Sequence, residues 1–596
     1  SLPRLGLHFR PPAAWYSRTE HALCNSVLCN MAMNVTSAVR FYVDKIVSDP
    51  KISGMKVLLL DAVTTQVVAM VYSQSQILEK EVYLVERMDA DHEPMQHLKA
   101  VYFIRPTKGN IQTLCAEISK PRFLEYHVFF CSICPNELLQ QLAAADEHEV
   151  VRQVHEYYAE FCAVNEDFFS ANCPDALQLA LPRPPAAAKT LLSRNRDAVL
   201  SVLLALKKKP STIRYANSSS TARELAMDIS AQIQADQIFD FRRQQGPVLL
   251  ILDRRDDPVT PLLSQWTYQA MVHELLGLND NRVVLKGAPG VRKDLEEVVL
   301  SCTQDDFFAK NRFSNFGDLG VAVKNLMDEY QKATRLNENI NSIEDMQAFL
   351  ERYPAFRSQS LNVSKHVAVL SELARLVDVY HLLDVSQFEQ EMACADDHVL
   401  HYRELMEKLT SSRIKAPDKL RLAMLYALRY EDMGNLRAVK SRLLESGLTP
   451  EKADLLDALL QYSGNAVRGP GLFGQDNLMS KLGKQITTTL QGVENVYAQH
   501  VPLMMTAVEA ALKGKLKDSV YPAVGSSGGK SQEVIVFMVG GVTYEEACKV
   551  AELNASLPSG NVVLGGSFVH NSTSFLEELN LSFGPASQER GLGAFR

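Results

Sequence analysis

Nowhere in this chain do apolar residues continue for the ~18 positions that a membrane-spanning helix requires. The longest runs, such as 199–206 and 534–539, have the length of a strand or a core-helix segment. Contact with a membrane is therefore expected through another molecule or a surface. Charge of one sign is lacking too. The 70 acidic and 62 basic residues leave a net charge of −8, without the strongly basic domain or stripe that marks a nucleic-acid-binding protein. Cysteine is sparse, ten in 596 residues, which fits free thiols in a reducing compartment better than a disulfide framework. On the same ground Asn362-Val363-Ser364 and Asn571-Ser572-Thr573 read as chance matches to a glycosylation triplet.

What is present is ordinary globular material. Hydrophobic residues make up 46% and charged residues 22%, enough for packed cores, and the length corresponds to three or four domains. The first thirty residues hold Arg4, Arg10 and Arg18 against one acid, Glu20. A mitochondrial presequence shares that bias, but Pro11-Pro12 interrupts the helix it would form. Residues 1–32 are expected to be a disordered extension, with the folded protein starting near Met31 or Met33.

From residue 56 the pattern is strand-like: KVLLLD (56–61), VVAMVY (67–72), EVYLVE (81–86) and HLKAVYFIRP (97–106). A helical stretch around 111–118, the run YHVFF (126–130) and a helix from Pro135 onward follow. Strands alternating with helices predict an open, mostly parallel α/β sheet, here domain 1 at 33–160. A second α/β segment, 161–258, contains a helix ending in Lys207-Lys208-Lys209, read as a solvated helix end, and the strand PVLLILD (247–253). Between 259 and 504 strand signals nearly vanish. Leu319, Val323, Leu326 and Tyr330 recur at helical spacing, as do Val367, Leu370, Leu373 and Val377, and KLRLAMLYALRY (419–430) predicts a buried helix. The α/β pattern returns with EVIVFMVGG (533–541) and NVVLGG (561–566). Two strands cannot form a sizeable sheet alone, so 505–582 is expected to rejoin the sheet of 161–258, with the helical domain inserted. Residues 583–596 are expected to be a mobile tail.

Catalytic patterns come close and fail on context. GSSGGKS (525–531) approaches the phosphate-cradling GxxxxGK[ST], but its first glycine is one residue too near and it precedes a strand. The nucleophile-elbow string around Ser527 has the same misplacement. Gly540-Gly541 sits between a strand and a helix, where nucleotide folds place phosphate, yet lacks a third glycine. Thr543 and Glu546 explain it as a capping box. Cys131 and Cys134 form a lone CxxC, a thiol-redox pattern without the second pair of a zinc site. His273-Glu274 and His148-Glu149 lack a histidine at the offset a zinc-protease helix needs. A nucleotide-binding or thiol-redox enzyme is the alternative reading; the preferred one is a protein without catalysis, cofactor or metal.

Several long strings carry a resemblance. LLILDRRDDPVTPLLSQWTYQAMVHELL (249–276), FMVGGVTYEEA (537–547), VVLGGSFVHNSTSFLEEL (562–579) and KVLLLDAVTTQVVAMVYSQSQILEKEVYLVE (56–86) stand in collinear order. Together they resemble the Sec/Munc (SM) family, across about 33–579. GVENVYAQHVPL (492–503) and the 419–430 helix are similar to its vacuolar-protein-sorting branch, which serves the Golgi and endosomes. The resemblance implies an arch-shaped, three-domain fold: two open parallel α/β sheets with a mainly helical domain inserted in the second. It implies a cytoplasmic, monomeric regulator of vesicle docking and membrane fusion. Such a protein binds a Golgi or endosomal syntaxin (a Qa-SNARE) and the assembling SNARE complex, meets membranes peripherally, and binds no nucleic acid. By family position, Phe130, Leu138 and Leu142 belong to a pocket for the syntaxin N-terminal peptide. Glu86 and Glu93 face the SNARE cleft, and Gln66 stands where neuronal relatives carry an arginine. Pro354 sits where a helical hairpin, about 318–378, reverses, and would let its tip switch between folded-back and extended forms.

Overall fold

The computed structural model describes residues 33–585 apart from 92, 242–245, 338–342, 474–495, 526–530 and 558–560, with 333, 335–337 and 343–358 described by their backbone alone. The expected extension 1–32, the loop around Ser527 and residues 586–596 of the expected tail lie outside these.

The first sheet is made of β1 (Lys56–Leu60), β2 (Val82–Arg87), β3 (Met95–Ile104), β4 (Phe123–Phe130) and β5 (Val151–Glu156) in the order β2-β1-β3-β4-β5, all parallel. All five residues of β1 are buried, because helices cover both faces of such a sheet. Successive side chains point to opposite sides. Val57 and Leu59 join a cluster with Ile111, Leu114 and Ile118, while Leu58 and Leu60 join Val39, Val43 and Val67 on the other face. Asp61, just past β1, sets the next turn. Its carboxylate accepts from the amides of Val63 and Thr64 and closes a capping box with Thr64. This corrects the strand expected at 67–72, which belongs to the helix Ala62–Val71. Thr64, Val67, Val68 and Val71 are its buried face, an i, i+3, i+4, i+7 pattern that a run of apolar letters concealed.

The second sheet contains β6 (Cys162–Asn165), β7 (Phe168–Ser170), β8 (Thr212–Tyr215) and β9 (Val248–Asp253). A two-stranded ribbon follows, β10 (Arg282–Val284) and β11 (Glu297–Val299), inside the interval expected to be helical. Then come β12 (Ala523–Val524), β13 (Glu533–Val539) and β14 (Asn561–Gly566), giving the sheet order β12-β8-β9-β13-β14-β7-β6. β13 lies parallel to β9, Val534 opposite Val248 through Val539 opposite Asp253. Of the returning strands, β13 and β14 thus occupy the middle of the sheet and β12 its edge, and the helical segment is an insertion between the neighbours β9 and β13. Its longest elements are the helices Phe316–Asn337 and Ile343–Val379, packed on each other. The helix Ala416–Arg429 is buried from Asp418 to Leu428.

Polar contacts between distant segments close the second sheet. Arg254, following β9, is fully buried. It donates to both Glu546 oxygens at 2.5 and 2.7 Å, to the Gly541 carbonyl at 3.0 Å and to the Asp257 carbonyl at 2.9 Å. Glu578 accepts from the amides of Asp175 and Leu177. Lys208, expected to be solvated, is buried with its ammonium between the two carboxylate oxygens of Glu533. Its position opposite the start of β13 makes it a staple between segments. At the far end, Phe583 ends the helix Ser572–Phe583 and packs on Tyr462 at 5.3 Å between ring centres, so order extends past the expected start of the tail.

Removing one member of a buried ion pair strands the other charge without water, which costs about 3–5 kcal/mol. Arg254→Met should lower the midpoint of the first urea transition by that equivalent, and Arg254→Met with Glu546→Gln should recover part of the loss. Equal midpoints for wild type and the single variant would show that the pair does not hold the sheet.

Candidate functional site

Phe130 ends β4, and the turn Cys131–Pro135 leads into the helix Asn136–Ala145 that carries Leu138 and Leu142. The structure brings the three together, but as core. Their exposures are 0%, 6% and 1%, and they share a cluster with Ile111, Leu114 and Ile118 of the helix Lys108–Ser119. The side chains half-exposed at the rim of this layer are Leu139, Cys115 and Val150. Family position pointed to Leu138 and Leu142, which repeat at i, i+4 toward the sheet and so pack in the core. Leu139, one residue on, leans outward and carries no periodic signal of its own.

Glu86 is half-buried in β2 and Glu93 is exposed in the connection to β3. β2 is the edge strand, and β1 and β3 separate it from β4. Three interstrand spacings of ~4.8 Å put these carboxylates roughly 14 Å across the sheet from the Phe130 layer, so they form two surfaces. Gln66 is committed within the molecule. Its carbonyl oxygen accepts from Asn172 at 2.7 Å and its amide donates to Asp280 at 3.3 Å, joining three chain segments.

Pro354 requires a correction. It lies inside the helix Ile343–Val379, eleven residues after its start, whereas the link between the hairpin helices is 338–342. The expectation placed the break at the proline because proline removes an amide donor. Here the backbone stays helical through it.

The 249–276 string is the hub of the inserted segment. Trp266 donates its indole N–H to Ser386 at 2.7 Å and packs against Phe316 and Tyr497. Glu389 accepts from the amide of Ser264 at 2.7 Å and pairs with Arg421 at 3.1 Å, while Arg421 donates to the Leu262 carbonyl at 3.1 Å. Gln390 accepts from the amides of Gln499 and His500.

The enzyme-like patterns find structural explanations. Gly540 and Gly541 have φ of +80° and +98°, and a Cβ on Gly541 would stand 2.4 Å from His570. The imidazole packs directly against this glycine. Thr543 and Glu546 do form a capping box on the helix Tyr544–Ser556. Cys131 and Cys134 are fully buried. Burial, reinforced by Glu160, pushes the Cys131 thiol well up, opposite to an activated cysteine. A cavity of about 310 Å3 opens at the C-terminal ends of β8, β9 and β13. Its carboxylates are engaged: Asp253 with Ser219, Asp256 with Ser218 and the Gly469 amide, Asp257 with Thr260 and the Leu503 amide.

Comparison with known proteins gives this arrangement a lineage. The sequence pattern of the Sec1 family matches residues 56–578, and the chain belongs to that family. Within it the chain is similar to vacuolar protein sorting-associated protein 45 of Dictyostelium discoideum, 45% identical over 553 residues, covering 92% of this chain and 97% of the relative. The protein of that name from Homo sapiens is 44% identical over 555 residues, covering 92% and 96%. Among solved structures, the SM protein Vps45 in complex with the Qa SNARE Tlg2 matches with a TM-score of 0.84 at 40% identity, covering 92% of this chain and 98% of that one.

Two outcomes check the local geometry. Leu142→Arg buries a charge in the helix–sheet layer and should destabilise the protein by ~3 kcal/mol or more, while Leu139→Arg at the rim should stay within about 0.5 kcal/mol; thermal melts of both variants decide. Cys131 should resist a small alkylating reagent at pH 8 in the native protein and react once unfolded. Native labelling at the rate of a free thiol would contradict its burial.

Proposed function

We propose that this chain is a SNARE-binding regulator of vesicle docking and fusion in Golgi and endosomal trafficking: it binds a Qa-SNARE and templates assembly of the SNARE bundle, without covalent chemistry. The observation that carries this is the match over nearly the whole of both chains to a Vps45 solved with the Qa SNARE Tlg2. Residues 33–160 form the peptide-binding domain. Residues 161–258 and 505–582 form the discontinuous second domain, and 259–504 the inserted helical one.

In this reading the syntaxin N-terminal peptide docks on the rim of the layer supported by Phe130, Leu138 and Leu142, with Leu139 as a contact. Glu86 and Glu93 border the cleft that takes the helical part of the SNARE. SNARE helices are disordered before they pair, so zippering costs ordering entropy before contacts compensate it. A peptide tether raises the effective concentration of the same chain at the cleft by the arithmetic of linked sites. The hairpin then aligns a second SNARE. Pro354, lacking an amide donor within a helix, supplies a weak point at which that arm can open. Membrane attachment is peripheral, through the bound SNARE, at Golgi, trans-Golgi network and endosomal membranes. Burial of Cys131 and the His570 imidazole beside Gly541 support the absence of thiol or nucleotide chemistry.

The test is a titration against cytosolic domains of Golgi, endosomal and plasma-membrane syntaxins, each with and without its N-terminal peptide. Peptide-dependent binding to one Golgi or endosomal syntaxin is expected, reduced at least tenfold by Leu139→Arg in a variant with a native melt. Failure to bind any of them would remove the functional reading and leave the fold.

A further inference from the structure

The hairpin consists of a rooted part and an unrooted part. In Phe316–Asn337, Leu319 and Val323 are buried, but from Lys324 to Lys332 no residue is, and Val321 and Met327 are 60% and 38% exposed. In the returning helix, Leu361 is 43% exposed, whereas Val363, His366, Val369 and Leu373 are buried. Among the described residues, buried positions on the first helix end with Val323, and on the returning helix they begin at the level of Val363.

At that level stands a closed polar network. Tyr268, from the 249–276 string, lies 2.9 Å from His366 Nδ1. His366 Nε2 lies 3.0 Å from Asp305. Lys365 reaches Asp305 at 2.5 Å and the Val299 carbonyl of β11 at 3.1 Å. Asp305 also accepts the Phe308 amide at 2.9 Å, as N-cap of the helix Asp306–Asn311. Phe307 covers the imidazole at 4.4 Å between ring centres. The proton directions are consistent. Burial pushes the Tyr268 phenol far up, so its O–H donates to Nδ1. Burial also lowers His366 despite Asp305 beside it, leaving a neutral ring whose Nε2–H donates to the carboxylate. For Asp305 burial alone would raise the pKa, yet His366 and Lys365 hold it well below the usual carboxylate range.

We infer that Asp305 is a positioning residue that clamps Lys365 and His366 and so fixes the root of the hairpin, confining any rearrangement to the arm beyond Val323 and Val363. Tyr268 couples that root to the junction of the second sheet. The arm therefore presents its exposed residues in a fixed register to a second SNARE, an inference that rests on the functional reading above. A carboxylate suits the position because three donors converge on it from two helices and a charge-assisted acceptor holds them more tightly than a neutral one.

Hydrogen exchange by mass spectrometry on the full chain tests the clamp without any partner. Asp305→Asn keeps an N-cap acceptor for Phe308 but turns an N–H toward Lys365 and His366. It should speed exchange across 359–373 at least tenfold and leave 416–429 unchanged, while Lys365→Arg should behave as wild type. Exchange within twofold of wild type in Asp305→Asn, or a uniform rise that includes 416–429, would overturn the clamp. A SNARE-assembly assay then reads its role. Severalfold slower assembly by Asp305→Asn with unchanged binding of the syntaxin N-terminal peptide is expected, and an unchanged assembly rate would overturn the positioning role. Loss of syntaxin binding by the wild type would instead fail the functional reading, leaving the exchange result to stand by itself.

Discussion

Arg254 and Glu546 lie 292 residues apart in the chain, and neither side chain is exposed at all. Between them runs the whole helical insertion, so their contact ties the segment that follows β9 to the one that follows β13. A buried guanidinium without a partner is costly, and well-packed apolar residues could replace such a pair without loss of stability. What the charged pair adds is geometric specificity: bidentate bonds to Glu546 and single bonds to two carbonyls admit one alignment of the segments that meet there. The positive-φ glycines Gly540 and Gly541 let the backbone come close enough for the Gly541 carbonyl to join.

From this junction the inserted segment is built outward by further single-purpose contacts. Arg421 and Glu389 seat the central buried helix on 262–264, Trp266 holds Ser386, and Tyr268 reaches the hairpin root through His366. Each joins an element of the insertion to the string that follows β9. Buried residues mark the root of the hairpin, and from Lys324 to Lys332 none of the residues is buried. Under the proposed function a fixed root matters, since a frame that moved would give back the entropy it is meant to spare.

The fold class was legible because its signals are local. Continuous apolar runs ending in Asp read as buried parallel strands, and a two-strand remnant at the end of the chain had to join another sheet. The misreadings have physical causes. The run 67–72 reads as a strand until the Asp61–Thr64 capping box is seen to start a helix before it. Lys208 reads as solvated until β13, more than three hundred residues on, brings Glu533 to it. Pro354 reads as a turn because an isolated helix would break there, while this one continues through it. At the candidate peptide site, family position pointed to residues that pack in the core, while Leu139 stands at the rim.

The order of the elements, the identity of the buried strands and the likeness to one protein family are properties of the sequence by itself, because periodicity, capping and collinear strings lie along the chain. Which side chains remain at a surface, which charges meet in the interior and where the hairpin is rooted were decided only by the tertiary structure. Those are contacts between segments tens to hundreds of residues apart. No local pattern distinguishes a lysine left in water from one that a distant strand will cover.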